Sequence, residues 1–221
     1  MGKTIAIEVE GHGPVSGLLL APGKPQAAYV LAHGAGAGME HPFMRSAAEG
    51  LAERAVATLR YQFPYMERGS KRPDVPAVAQ ATVRAAVRRA SGLLPGVPLF
   101  AGGKSFGGRM SSQAQAAAPL EGVRGLAFLG FPLHAAGQRG DARAKHLADI
   151  QVPLLFLQGT RDALADAALM KALGKRLGPR ATIAFFEDAD HSFHVPAKSG
   201  RTDAQVLAEL LDTLARWMSS H

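Results

Sequence analysis

From residue 27 onward short apolar runs alternate with longer amphipathic stretches, and few folds accept that rhythm. The runs at 27–32, 56–60, 98–102, 123–129, 152–158 and 181–187 have the length of a buried strand and are too short for a helix. The stretches at 43–54, 75–91, 106–118, 166–177 and 202–218 carry apolar residues at helical spacing, with Pro42 near the first start and Pro119 stopping the third. A short helix at 141–149 fills the remaining crossover. Ahead of these, 3–9 and 15–20 flank Gly11-His12-Gly13-Pro14 and read as an antiparallel hairpin. Strands joined through helices are parallel, their crossovers are right-handed, and the helices cover both faces. The expectation is one α/β domain over residues 1–221, with an eight-stranded, mostly parallel sheet and Trp217 packed on it.

Composition removes several function classes. The chain has no cysteine, which excludes disulfides, thiolate metal sites and a cysteine nucleophile, and fits a reducing compartment. The first residues show no apolar signal core and no run nears the ~18 residues of a membrane span, so a cytoplasmic protein without membrane contact is expected. A formal charge of +7 includes Arg84, Arg88 and Arg89 on one expected helix. No nucleic-acid-binding motif accompanies that charge, so it reads as a solvated face rather than a nucleic-acid site.

The chemistry is concentrated at Gly102-Gly103-Lys104-Ser105-Phe106-Gly107-Gly108, where the run at 98–102 turns into the helix at 106–118. Gly103 and Gly107 flank Ser105 in the G-x-S-x-G pattern of a strained strand-to-helix turn that lifts a serine oxygen clear of its neighbours. A side chain at either glycine would crowd that turn. A serine hydroxyl is a poor nucleophile until a base takes its proton, and the base needs a group to orient it. The run at 152–158 ends in Gly159-Thr160-Arg161-Asp162, and the run at 181–187 in Asp188-Ala189-Asp190-His191. All three strand tips lie on the carboxyl edge of a parallel sheet, which sets Ser105, Asp162 and His191 to converge. Asp166 is the fallback acid, since Asp162 also suits a helix cap. His194 and His33 are the competing histidines. His191 and His194 also have a spacing open to metal ligation, but no third ligand or HExxH pattern accompanies them, so no metal is expected. Asp188 and Asp190 read as turn residues, and His33 as a brace for the glycine-rich loop that follows it.

With its serine, acid and histidine in that order, the chain resembles the α/β-hydrolase family over nearly its whole length, in particular small lidless members that are dienelactone-hydrolase-like or carboxylesterase-like. The resemblance implies a nucleophile after the fifth strand, an acid after the seventh and a histidine after the eighth, which are Ser105, Asp162 and His191. It also implies an oxyanion hole of two backbone N–H groups, from Phe106 and from the loop His33-Gly34-Ala35-Gly36, with Ala35 the preferred donor and Gly34 the alternative. Dienelactone hydrolases proper use a cysteine, so their substrate is not carried over. Tyr61, Phe63, Tyr65 and Met66, at the end of a strand, are candidates for an acyl pocket, and equally for core or loop packing. Only residues 130–151 separate the sixth and seventh strands, too little for a lid. These readings imply a serine hydrolase of small soluble carboxylic esters or thioesters, with no cofactor. The alternatives are a peptidase or amidase on the same scaffold and a non-catalytic interaction module.

Overall fold

The computed structural model describes residues 2–221. Eight strands, β1 (Lys3–Val9), β2 (Gly13–Leu20), β3 (Ala27–Ala32), β4 (Val56–Tyr61), β5 (Leu99–Lys104), β6 (Val123–Leu129), β7 (Leu154–Gly159) and β8 (Ala181–Phe186), form one sheet in the order β1-β2-β4-β3-β5-β6-β7-β8. The β1–β2 and β2–β4 pairings are antiparallel, and every pairing from β4 through β3 to β8 is parallel. Strands covered on both faces need apolar residues throughout, and every residue of β3, β4 and β7 is buried. β1 is covered on one face only: Ile5, Ile7 and Val9 are buried and the residues between them exposed.

The helices are α1 (Pro42–Glu53), the single turn α2 (Pro64–Glu67), α3 (Pro76–Leu93), α4 (Phe106–Ala117), α5 (Ala167–Leu177) and α6 (Asp203–Ser219). α3, α4 and α5 bury Val83, Val87, Met110, Ala114, Met170 and Leu173 on one side of the sheet. On the other side α1 and α6 bury Met44, Leu51, Val206, Leu210, Leu214 and Trp217. Trp217 packs on Phe100 of β5 with ring centroids 5.5 Å apart. α6 starts at a capping box, in which Thr202 and Gln205 each accept the other's backbone N–H. No helix among the described residues is long and apolar enough to cross a membrane.

Two local features differ from the sequence reading. The stretch after β4 contains α2, with Pro64 in its first turn. The β6–β7 crossover is a 3-10 helix, Ala142–Asp149. It lies on α4, where His146 Nε2 and Ser112 Oγ share a 2.7 Å hydrogen bond, and none of its residues lines the cavity beside Ser105.

Candidate active site

β5 passes into α4 through Ser105, whose backbone (φ 49°, ψ −112°) lies where a residue with a Cβ is strained. The close packing around the turn forces this geometry. A Cβ on Gly103 would lie 2.2 Å from the Ala32 carbonyl oxygen, and one on Gly107 2.6 Å from that of His33, so β3 and its loop rest directly on the elbow.

The structure brings Ser105, His191 and Asp162 into one hydrogen-bonded chain. His191 Nε2 is 2.9 Å from Ser105 Oγ, and His191 Nδ1 is 2.7 Å from Asp162 Oδ2. A carboxylate only accepts, so Nδ1 carries the proton and Nε2 is left to accept from the serine hydroxyl. The Asp162 side chain is fully buried, whereas that of His191 is 24% exposed. Burial of a carboxylate is tolerable only when it is bonded: Asp162 Oδ1 also accepts from the Leu164 N–H at 2.8 Å, and Oδ2 from the Gln158 amide. Gln158 in turn accepts from the Phe131 N–H at 3.0 Å, which fixes its orientation.

The other candidates lie elsewhere. Asp166 is the N-cap of α5, accepting from the Ala168 and Leu169 N–H groups. His194 points to the surface, 2.9 Å from Asp203, and the hydrogen bond to that carboxylate raises its pKa. Asp190 is a turn residue whose Oδ1 accepts from the Ser192 and His194 N–H groups. Asp188, with φ 58°, donates its N–H to Thr160 Oγ1. His33 is fully buried between the Gly34 carbonyl, 2.7 Å from Nδ1, and the Phe63 N–H, 3.3 Å from Nε2. Burial pushes its pKa down to about 4, so it is neutral and braces the loop in the protonation state that both bonds require. In that loop Gly36 N–H donates to the Tyr65 hydroxyl and Ala37 N–H to the Gly34 carbonyl. The N–H groups of Phe106, Ala35 and Gly34 have no hydrogen-bond partner among the described residues.

A family model described as an alpha/beta hydrolase domain matches residues 25–219. The chain belongs to the α/β hydrolase family. Solved structures share the fold of this α/β hydrolase at low identity. A lidless α/β serine hydrolase from Xanthomonas campestris superposes with a TM-score of 0.76 at 22% identity, covering 98% of this chain and 94% of its own. A dienelactone hydrolase from Anabaena variabilis gives 0.76 at 18%, covering 100% and 98%. An esterase domain from Rhodothermus marinus gives 0.74 at 16%, covering 100% and 98%.

In this α/β hydrolase a cavity of about 400 Å³ adjoins Ser105, lined by Gly34, Ala35, Ala37, His41, Phe43, Met44, Lys104, Leu164, His191 and Ser192. None of Tyr61, Phe63, Tyr65 and Met66 is among its walls, and the packing alternative describes them better. Tyr61, Phe63 and Tyr65 are fully buried, and Met66 lies under Gly38. Phe63 meets His33, Tyr61, Tyr65 and Phe106 with ring centroids 5.0–6.2 Å apart, and the cluster underpins the loop after β3 and the elbow instead of facing the cavity. The apolar wall comes from Phe43 and Met44, in the first turn of α1, and from Leu164. Helices that follow parallel strands begin at the carboxyl edge, so an apolar pair just after Pro42 was the available signal for that wall. Gln158 and Lys104 carried no local signal.

Proposed function

We propose that the chain is a serine hydrolase that cleaves carboxylic esters or thioesters of small soluble substrates through an acyl-enzyme. The hydrogen-bonded chain from Ser105 through His191 to buried Asp162 is the observation that carries this reading. Ser105 Oγ attacks the carbonyl carbon as His191 Nε2 takes its proton. Collapse of the tetrahedral intermediate breaks the bond to the leaving alcohol or thiol, which receives that proton from His191. Water then attacks the acyl carbon by the same route in reverse, releasing the acid and restoring Ser105. Asp162 stays ionised, holds the imidazole tautomer and stabilises its cation. The oxyanion is assigned to the N–H groups of Phe106 and Ala35, with Gly34 the alternative to Ala35, each donor typically worth ~3 kcal/mol in the transition state. The reading places the whole domain, residues 1–221, behind one site, with no cofactor or metal in the mechanism and no nucleic-acid partner, in the cytoplasm.

The test is labelling by a fluorophosphonate together with steady-state hydrolysis of matched ester, thioester and amide substrates. Labelling of Ser105, lost in Ser105→Ala, with turnover reduced by at least about a thousandfold in a still-folded protein, is the expected result. A folded wild-type protein that neither labels nor turns over an ester refutes it. Faster cleavage of the amide would make the protein an amidase on the same machinery.

A further inference from the structure

Lys104, the residue before Ser105, has an unusual place for a lysine. Its ammonium donates to the backbone carbonyl of His191 and lies 5.9 Å from the ring centroid of Phe43 and 5.3 Å from that of Phe193. The two rings are stacked on each other, with centroids 6.0 Å apart and planes inclined by 11°. Phe193 also meets Phe186 edge-on at 5.8 Å. It is buried although its φ is 65°, a backbone conformation that a bulky residue keeps only where packing dictates it. Three elements thus meet at one ammonium: α1 through Phe43, the end of β5 through Lys104, and the loop after β8 through Phe193 and His191.

We propose that Lys104 is a positioning residue: seated against Phe43 and Phe193, its ammonium pins the His191 carbonyl and so holds the imidazole in line with Ser105. The inference rests on the serine-hydrolase reading above. His191 sits in a turn held by Asp190, and its ring bonds to Asp162 and Ser105; the bond from Lys104 to its own backbone carbonyl ties that turn to the elbow as well. A small error in that line-up is costly in rate, because general-base transfer needs hydrogen-bond distance at the moment of attack. An apolar side chain of this length would fill the space without the cost of a buried charge, so the charge needs a reason, and the carbonyl supplies one.

The titratable groups around Lys104 are Asp162 from the turn after β7, Asp190 and His191 from the loop after β8, and His41 at the start of α1, on the same cavity. Desolvation outweighs the attraction of Asp162 and Asp190 and brings the lysine pKa down to about 8. Above that pH the charged form is lost and the bond to the His191 carbonyl weakens, so turnover should fall on an alkaline limb set by Lys104.

The experiment measures kcat and KM for a neutral and an anionic aryl ester against pH in the wild type, Lys104→Met and Lys104→Gln, with fluorophosphonate labelling and thermal unfolding of each. The expected result for Lys104→Met is kcat lower by about ten- to a hundredfold, KM within about twofold for both esters, and no alkaline limb. Lys104→Gln, which keeps a donor without charge, recovers part of kcat and also lacks the limb, and it carries the test if the methionine variant unfolds. A retained limb in either variant, or kcat within about twofold in folded Lys104→Met, overturns the proposal. So does an effect confined to KM of the anionic ester, which would make Lys104 a substrate-binding group. Failure of the wild type itself to label at Ser105 refutes the hydrolase reading and is distinct from any loss confined to the Lys104 variants.

Discussion

Asp162 and Asp166 stand four residues apart in the loop between β7 and α5, and both are residues that cap helices well. The structure separates them by what they touch: His191 and Gln158 for the first, the α5 N–H groups for the second. Asp162→Asn should therefore lower kcat by about ten-thousandfold through the wrong imidazole tautomer. Asp166→Ala should leave kcat within about twofold and cost ~1 kcal/mol of stability, read by urea unfolding. The opposite pattern would transfer the acid role to Asp166. His33 makes a second prediction. Its pKa falls from 6.5 in the unfolded chain to about 4 when buried, so between those values the unfolded state binds a proton that the folded state refuses. Stability should then drop as pH falls through that window, by at most about 1.4 kcal/mol per pH unit for this residue. His146, pushed down to about 4 by burial and the nearby Arg109 charge, acts with the same sign. Urea unfolding from pH 7 to pH 4 should show a shallower slope in His33→Gln, and an unchanged slope would mean that His33 accepts its proton in place.

At the level of elements, the strands, the crossover helices and the Ser105, Asp162 and His191 positions were legible in the sequence, because each depends on local signals: apolar run length, helical spacing, and glycines around a turn. What escaped depends on partners distant in the chain. Gln158 looks like one more residue at the end of β7 until Phe131 and Asp162 are placed on either side of it. For the aromatic residues 61–66 two readings stand side by side in the sequence, acyl pocket and core or loop packing, because an apolar strand end looks alike whether it faces a cavity or supports a loop; their burial under the loop after β3 favours the second. α2 is a single turn, too short to register as a period. The packing reading can be tested directly. Phe63→Ala should cost about 3–5 kcal/mol in urea unfolding, as expected for a fully buried ring. Leu164→Ala should cost less and instead shift the preferred acyl length upward, since Leu164 lines the cavity. Equal stability loss with no change in acyl preference would put the pocket back on the aromatic stretch.

On the scale of the whole molecule, the β6–β7 crossover is tied to α4 through His146 and Ser112 and contributes no residue to the cavity beside Ser105. A cavity of about 400 Å³ holds a short acyl group, and each methylene left outside forgoes ~0.8 kcal/mol of binding. Butyrate esters should be turned over faster than palmitate esters, with no jump in rate as substrate passes its solubility limit. A rise at the interface would mean that some segment folds over the site.

The sheet order has one more effect. β3 pairs with β5 across about seventy residues of intervening chain, and Ser105, Asp162 and His191 follow β5, β7 and β8. No contiguous piece shorter than His33 to His191 contains His33, Ser105, Asp162 and His191. Hydrolysis therefore counts only molecules whose distant segments have all docked, and a refolding sample will regain secondary structure before it regains turnover.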